Sequence, residues 1–396
     1  MSLRIAVISD PHCHPWRDPE KGANRTHFFS DGPRVRGRRH PIQYLVDLID
    51  ENEQVFHADV LVLPGDFTDQ ANLHGYVVAI HSIREIAAKL KVKTVAATIG
   101  NHDVDSHGII GKGPFFAAKE MFCDFPIVEI DQQNSFFNNG FAVIEGDGFR
   151  ILSVNSVMSH TTRQLAESGE ANSVQLAAIK SKLKDLPQKK LQICLVHHHV
   201  IPHEELELGA KDLLVGGEAL LAGLEALGFA LVIHGHKHHP RLRYSPSGRL
   251  PIFASGSVSA AIDPVTGSSC RNTFHIIELN EASSLIANTH GRIYSWDLRL
   301  DKGWQETSRD SSSFPGIAGF GCHEPVINVA SAIAKAFQTA NKPFLMWEDV
   351  KSAVPQVEFL IPSDMDSLAK ALSADHNLLV RNDPAEPTVI GRSKAQ

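Results

Sequence analysis

A layered α/β domain followed by a small winged-helix-like α+β module is the fold class this sequence predicts. Three observations predict it. Short β-branched runs alternate with amphipathic helix patterns to about residue 240, strands and turns then dominate to about residue 304, and a Ser- and Gly-rich break precedes a last group of helices and a hairpin.

Six apolar runs end abruptly in polar turns: RIAVISD (4–10), DVLVLPGD (59–66), TVAATIGNHD (94–103), FRILSVNS (149–156), LQICLVHHH (191–199) and ALVIHGH (230–236). Runs of this length without a polar face suit strands covered on both sides of a sheet. Helical spacing recurs between them at 41–54, where Pro41 sits near a helix start, and at 75–90, 173–186 and 216–228. Such alternation indicates α/β layering. After residue 240, LRYSPSGRLPIFASGSVSA, FHIIELN and RIYSWDLRL predict antiparallel strands that complete the sheets. QETSRDSSSFPGIAGFG begins a linker over 305–325. Helix patterns at 326–340, 347–354 and 363–373, then the strands HNLLVRND and PTVIGR, predict the module at 326–396. The large domain is therefore expected over 1–304.

A net charge of −7 argues against broad binding to nucleic acid or anionic membrane. No apolar stretch approaches the roughly 18 residues of a membrane span, and MSLRIAVISD lacks the organisation of a signal peptide. The five cysteines are odd in number, scattered and without a CxxC pair. They read as free thiols in a reducing compartment, so a cytoplasmic location is expected.

Histidine is the outlier, with 22 in the chain and four within LVIHGHKHHP (231–240). Alternation along an emerging strand puts His234, His236 and His238 on one side and His239 on the other. The main strands end in possible metal ligands: Asp10 and His12, Asp66, Asn101 and His102, His197, and the last cluster. Sites in open α/β sheets form outside the carboxyl ends of the strands, so these loops can converge. Carboxylate, imidazole and amide donors suit Mn²⁺, Fe or Zn²⁺ rather than copper(I) or an iron–sulfur cluster.

The ordered set D-x-H (Asp10, His12), G-D-x-x-D (Gly65, Asp66, Asp69), G-N-H-D (Gly100 to Asp103), His197 and G-H-x-H (Gly235, His236, His238) resembles the calcineurin-like metallophosphoesterase superfamily. The likeness covers residues 1 to about 300. It implies a two-sheet α/β/β/α sandwich with two divalent ions per chain, Mn²⁺ or Fe foremost and Zn²⁺ compatible. By the same likeness, Asp10, His12 and His238 hold one metal, Asn101, His197 and His236 hold the other, and Asp66 bridges them. His234 is left to pack behind the ligands and His239 to lie at the surface. A bridging hydroxide then attacks phosphorus in line. His102, outside the metal shell, stabilises the transition state and protonates the leaving alkoxide. Asp69 has two readings, a carboxylate that orients Asp66 and the N-cap of the next helix. Asp103 reads as a cap or structural acceptor rather than a catalytic residue. Purple acid phosphatases of this superfamily carry a metal-bound tyrosine in the G-D motif; here those positions are Phe67, Thr68 and Asp69, so no tyrosinate colour is expected.

Phosphoprotein phosphatases of the superfamily carry GDxVDRG and GNHE, whereas this chain has GDFTDQA and GNHD. The resemblance thus implies a phosphodiesterase acting on small or nucleotide-type phosphodiesters. The rival readings are a DNA or RNA nuclease on the same site and a non-catalytic scaffold on the same fold. Arg34, Arg36 and Arg38, with Arg39 beside them, follow the first motif and read as a rim that binds a phosphate-bearing substrate. His199 is a candidate substrate contact, and His14 and His160 are weaker rim candidates, while His198 packs nearby. The C-terminal module is about neutral, and its SDMDSLAKALS helix opens with two aspartates where phosphates would approach. It is expected to bind protein or mediate oligomerisation rather than bind DNA.

Overall fold

In a computed structural model of the chain, the described residues are 1–15, 26–30, 40–108, 110–122, 125–162, 168–202, 212–261, 271–284, 286, 288–299, 301–307, 314–382 and 386–392. Along them run β1 (Ser2–Val7), α1 (Pro41–Glu51), β2 (Val60–Leu63), α2 (Leu73–Lys89), β3 (Thr94–Ala97), α3 (Phe116–Met121), α4 (Ile130–Asn138) and β4 (Phe141–Glu145). Then come β5 (Phe149–Val154), α5 (Ser173–Lys184), β6 (Leu191–Leu195), α6 (Gly217–Ala226), β7 (Leu231–His234), β8 (Arg241–Tyr244) and β9 (Pro251–Ala254). They are followed by β10 (Thr273–Asn280), β11 (His290–Arg299), β12 (Gly303–Glu306) and β13 (Ile317–Phe320). The last elements are α7 (Val326–Ala340), β14 (Phe344–Met346), α8 (Trp347–Ala353), α9 (Pro362–His376), β15 (Leu378–Asn382) and β16 (Pro387–Arg392).

The apolar runs fold as strands with little or no exposure; β2 and β6 are buried throughout. The first sheet has the order β12-β11-β10-β1-β2-β3, with β13 also on β11. β1, β2 and β3 are parallel, and β10 lies antiparallel to β1 from Ser2↔Asn280 to Val7↔His275. The second sheet has the order β4-β5-β6-β7-β9-β8, with a parallel centre and antiparallel edge strands.

The sheets stack because alternate residues of each strand point to opposite faces. Ile151, Ile193 and Ile233 join Ile5 and Val62 in the core that also takes in Leu45 of α1 and Ile83 of α2. Their neighbours Leu152, Cys194 and Val232 point outward, onto Ile179 of α5 and Leu220 of α6. The result is the expected helix–sheet–sheet–helix sandwich.

The C-terminal module has its own core of Val329, Ile333, Trp347, Leu368, Leu372 and Ile390. Its three-stranded sheet has the order β14-β16-β15. The module meets the first sheet through a 2.6 Å Arg292–Glu358 ion pair. At Gly319 an added Cβ would come within 2.0 Å of the Glu358 carbonyl oxygen, so only glycine permits this approach. β13, inside the stretch read as a linker, is thereby laid on β11. Among the described residues no helix is long and apolar enough to cross a membrane.

Candidate metal centre

Each of the seven ligand candidates follows a strand of the two stacked sheets. Asp10, Asp66 and Asn101 come from the turns after β1, β2 and β3, and His197, His236 and His238 from those after β6 and β7; His12 ends the first turn. His12 Nε2 lies 3.0 Å from His238 Nε2 and 3.5 Å from Asp66 Oδ2. His238 Nε2 is 3.6 Å from Asp10 Oδ1. His197 Nε2 and His236 Nδ1 are each 3.1 Å from Asn101 Oδ1, and His197 Nε2 is 3.4 Å from Asp66 Oδ2. Asp66 therefore stands between two groups of donors. Asp10, Asp66 and His197 are essentially fully buried. Lone-pair atoms facing one another in a buried pocket are what cations between them would satisfy, and the O/N donor set fits hard or borderline divalent ions.

Five of the seven, Asp10 (φ 51°), His12 (46°), Asp66 (54°), His236 (85°) and His238 (58°), adopt the left-handed backbone region. Non-glycine residues hold that conformation only where their surroundings fix it. The surroundings are visible. Ser257 Oγ donates to the Asp10 carbonyl at 2.7 Å and Ser259 Oγ to the Pro11 carbonyl at 2.6 Å. Ser9 Oγ donates to the Asp10 carboxylate, and the His236 N–H donates to Asp10 Oδ1 at 3.1 Å. Gly235 lets the chain cross here, since an added Cβ would come within 2.4 Å of Asp10 Oδ2.

The imidazole rings are oriented from behind. His197 Nδ1 donates to the Pro64 carbonyl at 2.9 Å, which turns Nε2 inward. His236 turns Nδ1 inward; among the described residues its buried Nε2 has no hydrogen-bond partner, and the Asp212 carboxylate lies 3.8 Å away and is paired with Lys237. Burial would raise the Asp66 carboxyl, but His197, His102 and His12 outweigh it and hold it well below the usual carboxylate range. Burial likewise opposes charge on His197, yet the Asp66 carboxylate pushes that imidazole up to about 9. His12, with burial dominant, falls to about 4.

His102 stands beside this set, its ring centroid 4.7 Å from that of His12 and its backbone N–H donating to Asp66 Oδ1 at 2.8 Å. His102 Nδ1 donates to Asp69 Oδ1 at 2.7 Å. Asp69 is thus not the cap of α2, which is Asn72, whose side chain accepts from the Gly75 N–H at 2.9 Å. Nor is Asp66 its closest partner; it serves His102. Asp103 is the structural acceptor expected, taking the N–H groups of Gly100 at 2.9 Å and Thr68 at 3.2 Å and so tying the G-D and G-N-H-D turns together.

Other candidates lie elsewhere. His199 is 2% exposed and packs on His234, with ring centroids 4.5 Å apart, so it sits beneath the site and not on its rim. His234 faces His199 because the strand ends there and the turn at Gly235 breaks the alternation that grouped it with His236 and His238. His198 donates to or accepts from Ser156 Oγ at 2.9 Å, and His160 is held by the Ser168 carbonyl at 2.7 Å; both are buried. His14 bridges to Phe29. His239 is half-buried. Arg34, Arg36, Arg38 and Arg39 fall outside the described residues. Sequence reasoning missed Ser9, Asp212, Ser257 and Ser259. The alternating serines of SGSVSA after β9 were a signal for two of them, whereas nothing local marks Asp212.

A family model described as calcineurin-like phosphoesterase matches residues 3–240, and a second, wHTH-Calcineurin_assc, matches 318–374. No curated protein matches the chain by sequence. Among solved structures, the chain is similar to a purple acid phosphatase from yellow lupin (Lupinus luteus) seeds, with 14% identity, a TM-score of 0.50, and 76% of this chain and 52% of that one covered. It is also similar to a dimetal phosphatase from Danio rerio, with 15% identity, a TM-score of 0.48, and coverage of 74% and 95%. At 14% identity the likeness to the lupin enzyme concerns the fold alone. The family model, extending over more than half of the chain and ending just beyond the last ligand candidate, decides the matter: this chain belongs to the calcineurin-like phosphoesterase family.

Proposed function

We propose that the chain is a phosphodiesterase that hydrolyses small or nucleotide-type phosphodiesters at a dinuclear metal centre. The observation that carries this reading is the convergence of seven oxygen and nitrogen donors on two adjoining points, with the His102–Asp69 pair at their side. Asp10, His12 and His238 would hold one ion, Asn101, His197 and His236 the other, and Asp66 both. Mn²⁺, Fe and Zn²⁺ all suit these donors. When bound, two such ions supply Lewis acidity toward phosphoryl oxygens and an activated water for in-line displacement.

The chain's own groups do the rest. Asp69 accepts the Nδ1 proton of His102, which fixes the tautomer and turns Nε2 to the substrate. From there the imidazolium stabilises charge on the phosphoryl group and gives its proton to the leaving alkoxide. Gln70 follows Asp69 where phosphoprotein phosphatases have arginine. A diester carries one negative charge fewer than a dianionic monoester, so the lack of that guanidinium favours the diester. Domains of 1–304 and 326–396 joined by 305–325 fit this reading, with β13 pinning the linker to β11. The C-terminal module would serve as a protein-interaction element, and the buried free thiols of Cys13, Cys194 and Cys322 agree with a cytoplasmic setting.

Hydrolysis of bis-p-nitrophenyl phosphate, p-nitrophenyl phosphate, cyclic nucleotides and single-stranded DNA with added Mn²⁺ tests the proposal. Diester hydrolysis should exceed monoester hydrolysis. Asp66→Asn should abolish it, and His102→Ala should lower turnover about 100-fold with metal content retained. Near-normal turnover in His102→Ala would remove the acid role, and cleavage of DNA alone would favour the nuclease.

A further inference from the structure

The three-stranded sheet of the C-terminal module has an inner face that follows the usual rule and an outer face that does not. Leu345, Leu378, Val380 and Ile390 point inward and pack on the module core. The alternate residues point outward, and the register aligns them in two rows: Phe344, Gly391 and Leu379, then Met346, Val389 and Arg381. Outward positions of a sheet with one buried face are normally polar. Here Phe344 is 53% exposed, and Met346 and Leu379 are each 49% exposed.

The charge on this face is positive, and Glu348 and Glu386, which stand just beyond β14 and just before β16, are both held by Lys351. Arg381 lies on it, and Lys342 and Arg392 flank it, all three exposed and none with an ion-pair partner among the described residues. No outward position of the described strands carries a carboxylate. An apolar, cationic surface on a chain of net charge −7 is complementary to apolar side chains interspersed with carboxylates.

Size narrows the occupant. Two rows across three strands span roughly 10 Å by 7 Å, enough for one helix or one extended segment. That is far below the roughly 800 Å² per partner of a stable dimer, and a second copy would bring its own cations against these. Nucleic acid fares no better, because Arg381 is the one cation among the outward positions of the described strands, too few to follow a phosphate backbone, and α9 opens with Asp364 and Asp366.

We propose that the outer face of the β14-β16-β15 sheet is a docking site for a single acidic, amphipathic peptide segment of a partner protein. The proposal rests on reading the C-terminal module as an interaction element and names the surface it uses.

The test is selection of a displayed library of random peptides against the full chain, followed by fluorescence anisotropy of the selected peptides with variants. Phe344→Ser and Arg381→Glu change exposed side chains remote from the metal centre, so thermal unfolding and diester hydrolysis should match the parent. Selected peptides should combine large apolar residues at helical or alternating spacing with an excess of Asp and Glu. Each substitution should weaken them at least about tenfold. Peptides without acidic excess would overturn the proposal. So would peptides indifferent to both substitutions, although these would leave the module an interaction element through another surface. A library yielding no binder would sink both readings. Binding of phosphatidylserine vesicles or a short DNA duplex that Phe344→Ser abolishes would assign the face to those ligands instead and equally overturn it.

Discussion

Asp10, His12, Asp66, His236 and His238 hold their functional atoms inward only because the backbone turns back on itself within a residue or two of the strand end. Each left-handed residue costs on the order of 1 kcal/mol or more, and the serine hydroxyls of Ser257 and Ser259 hold the first of these turns in place. Gly100 shows how little room is left: a Cβ there would lie 2.1 Å from Asp66 Oδ1 and 2.6 Å from His197 Cε1. Gly100→Ala should therefore leave the sheets folded but displace both the Asp66 carboxylate and His197 of the second donor group. Metal analysis should find binding at that group reduced by at least about tenfold; two ions held as tightly as before would contradict this. The candidate ligands were legible because their motifs occur in order after recognisable strands. Their backbone conformation was not, since five non-glycine residues at positive φ run against local preference. Asp69 illustrates the same limit. Its position between a strand and a helix suggested a cap, and only the fold brings it to His102 across 33 positions of sequence.

At the scale of single elements, continuous apolar runs were reliable guides, and the runs ended as strands two to six residues before the motif residues they appeared to contain. α4 went unread because its sequence IDQQNSFFN is largely polar and buries only Gln133 and Phe136. β14 went unread because three residues carry no measurable alternation. β10 contains a group whose consequence no pattern announces. His275 is 1% exposed and is hydrogen-bonded to Ser295 Oγ at 2.8 Å and Thr273 Oγ1 at 3.0 Å. Burial pushes it down from its ordinary 6.5 to about 3. Between those values the unfolded chain takes up a proton that the folded chain refuses, so stability is whole above about 6.5 and is lost as pH falls toward 3. At pH 5 the loss from this residue alone is about 2 kcal/mol. Urea titrations of the metal-free protein at pH 7 and pH 5 should show this, and His275→Gln should flatten the dependence by about that amount; an unchanged slope would rule the assignment out.

For the molecule as a whole, the centre lies where the two sheets meet, with Asp10, Asp66 and Asn101 contributed by one and His197, His236 and His238 by the other. Ions bound there stabilise the folded chain alone. Each ion present at about a thousand times its dissociation constant adds about 4 kcal/mol, which should separate the metal-loaded and EDTA-treated proteins by about 8 °C or more in Tm. Identical melting curves would show that the donors do not bind ions tightly. The antiparallel neighbour of β1 is β10, and His236 and His238 lie 226 residues from the Asp10 and His12 that they meet. A growing chain therefore leaves the ribosome with its first strand unaccompanied on that side until residue 280 has emerged, and with its first two candidate ligands lacking their partners until residue 238 has followed them. Long-range closure of this kind is slow, and it sets an order of events in the cell: capture of the ions follows synthesis of nearly the whole catalytic part, so ion loading reports that the two ends of that part have found each other.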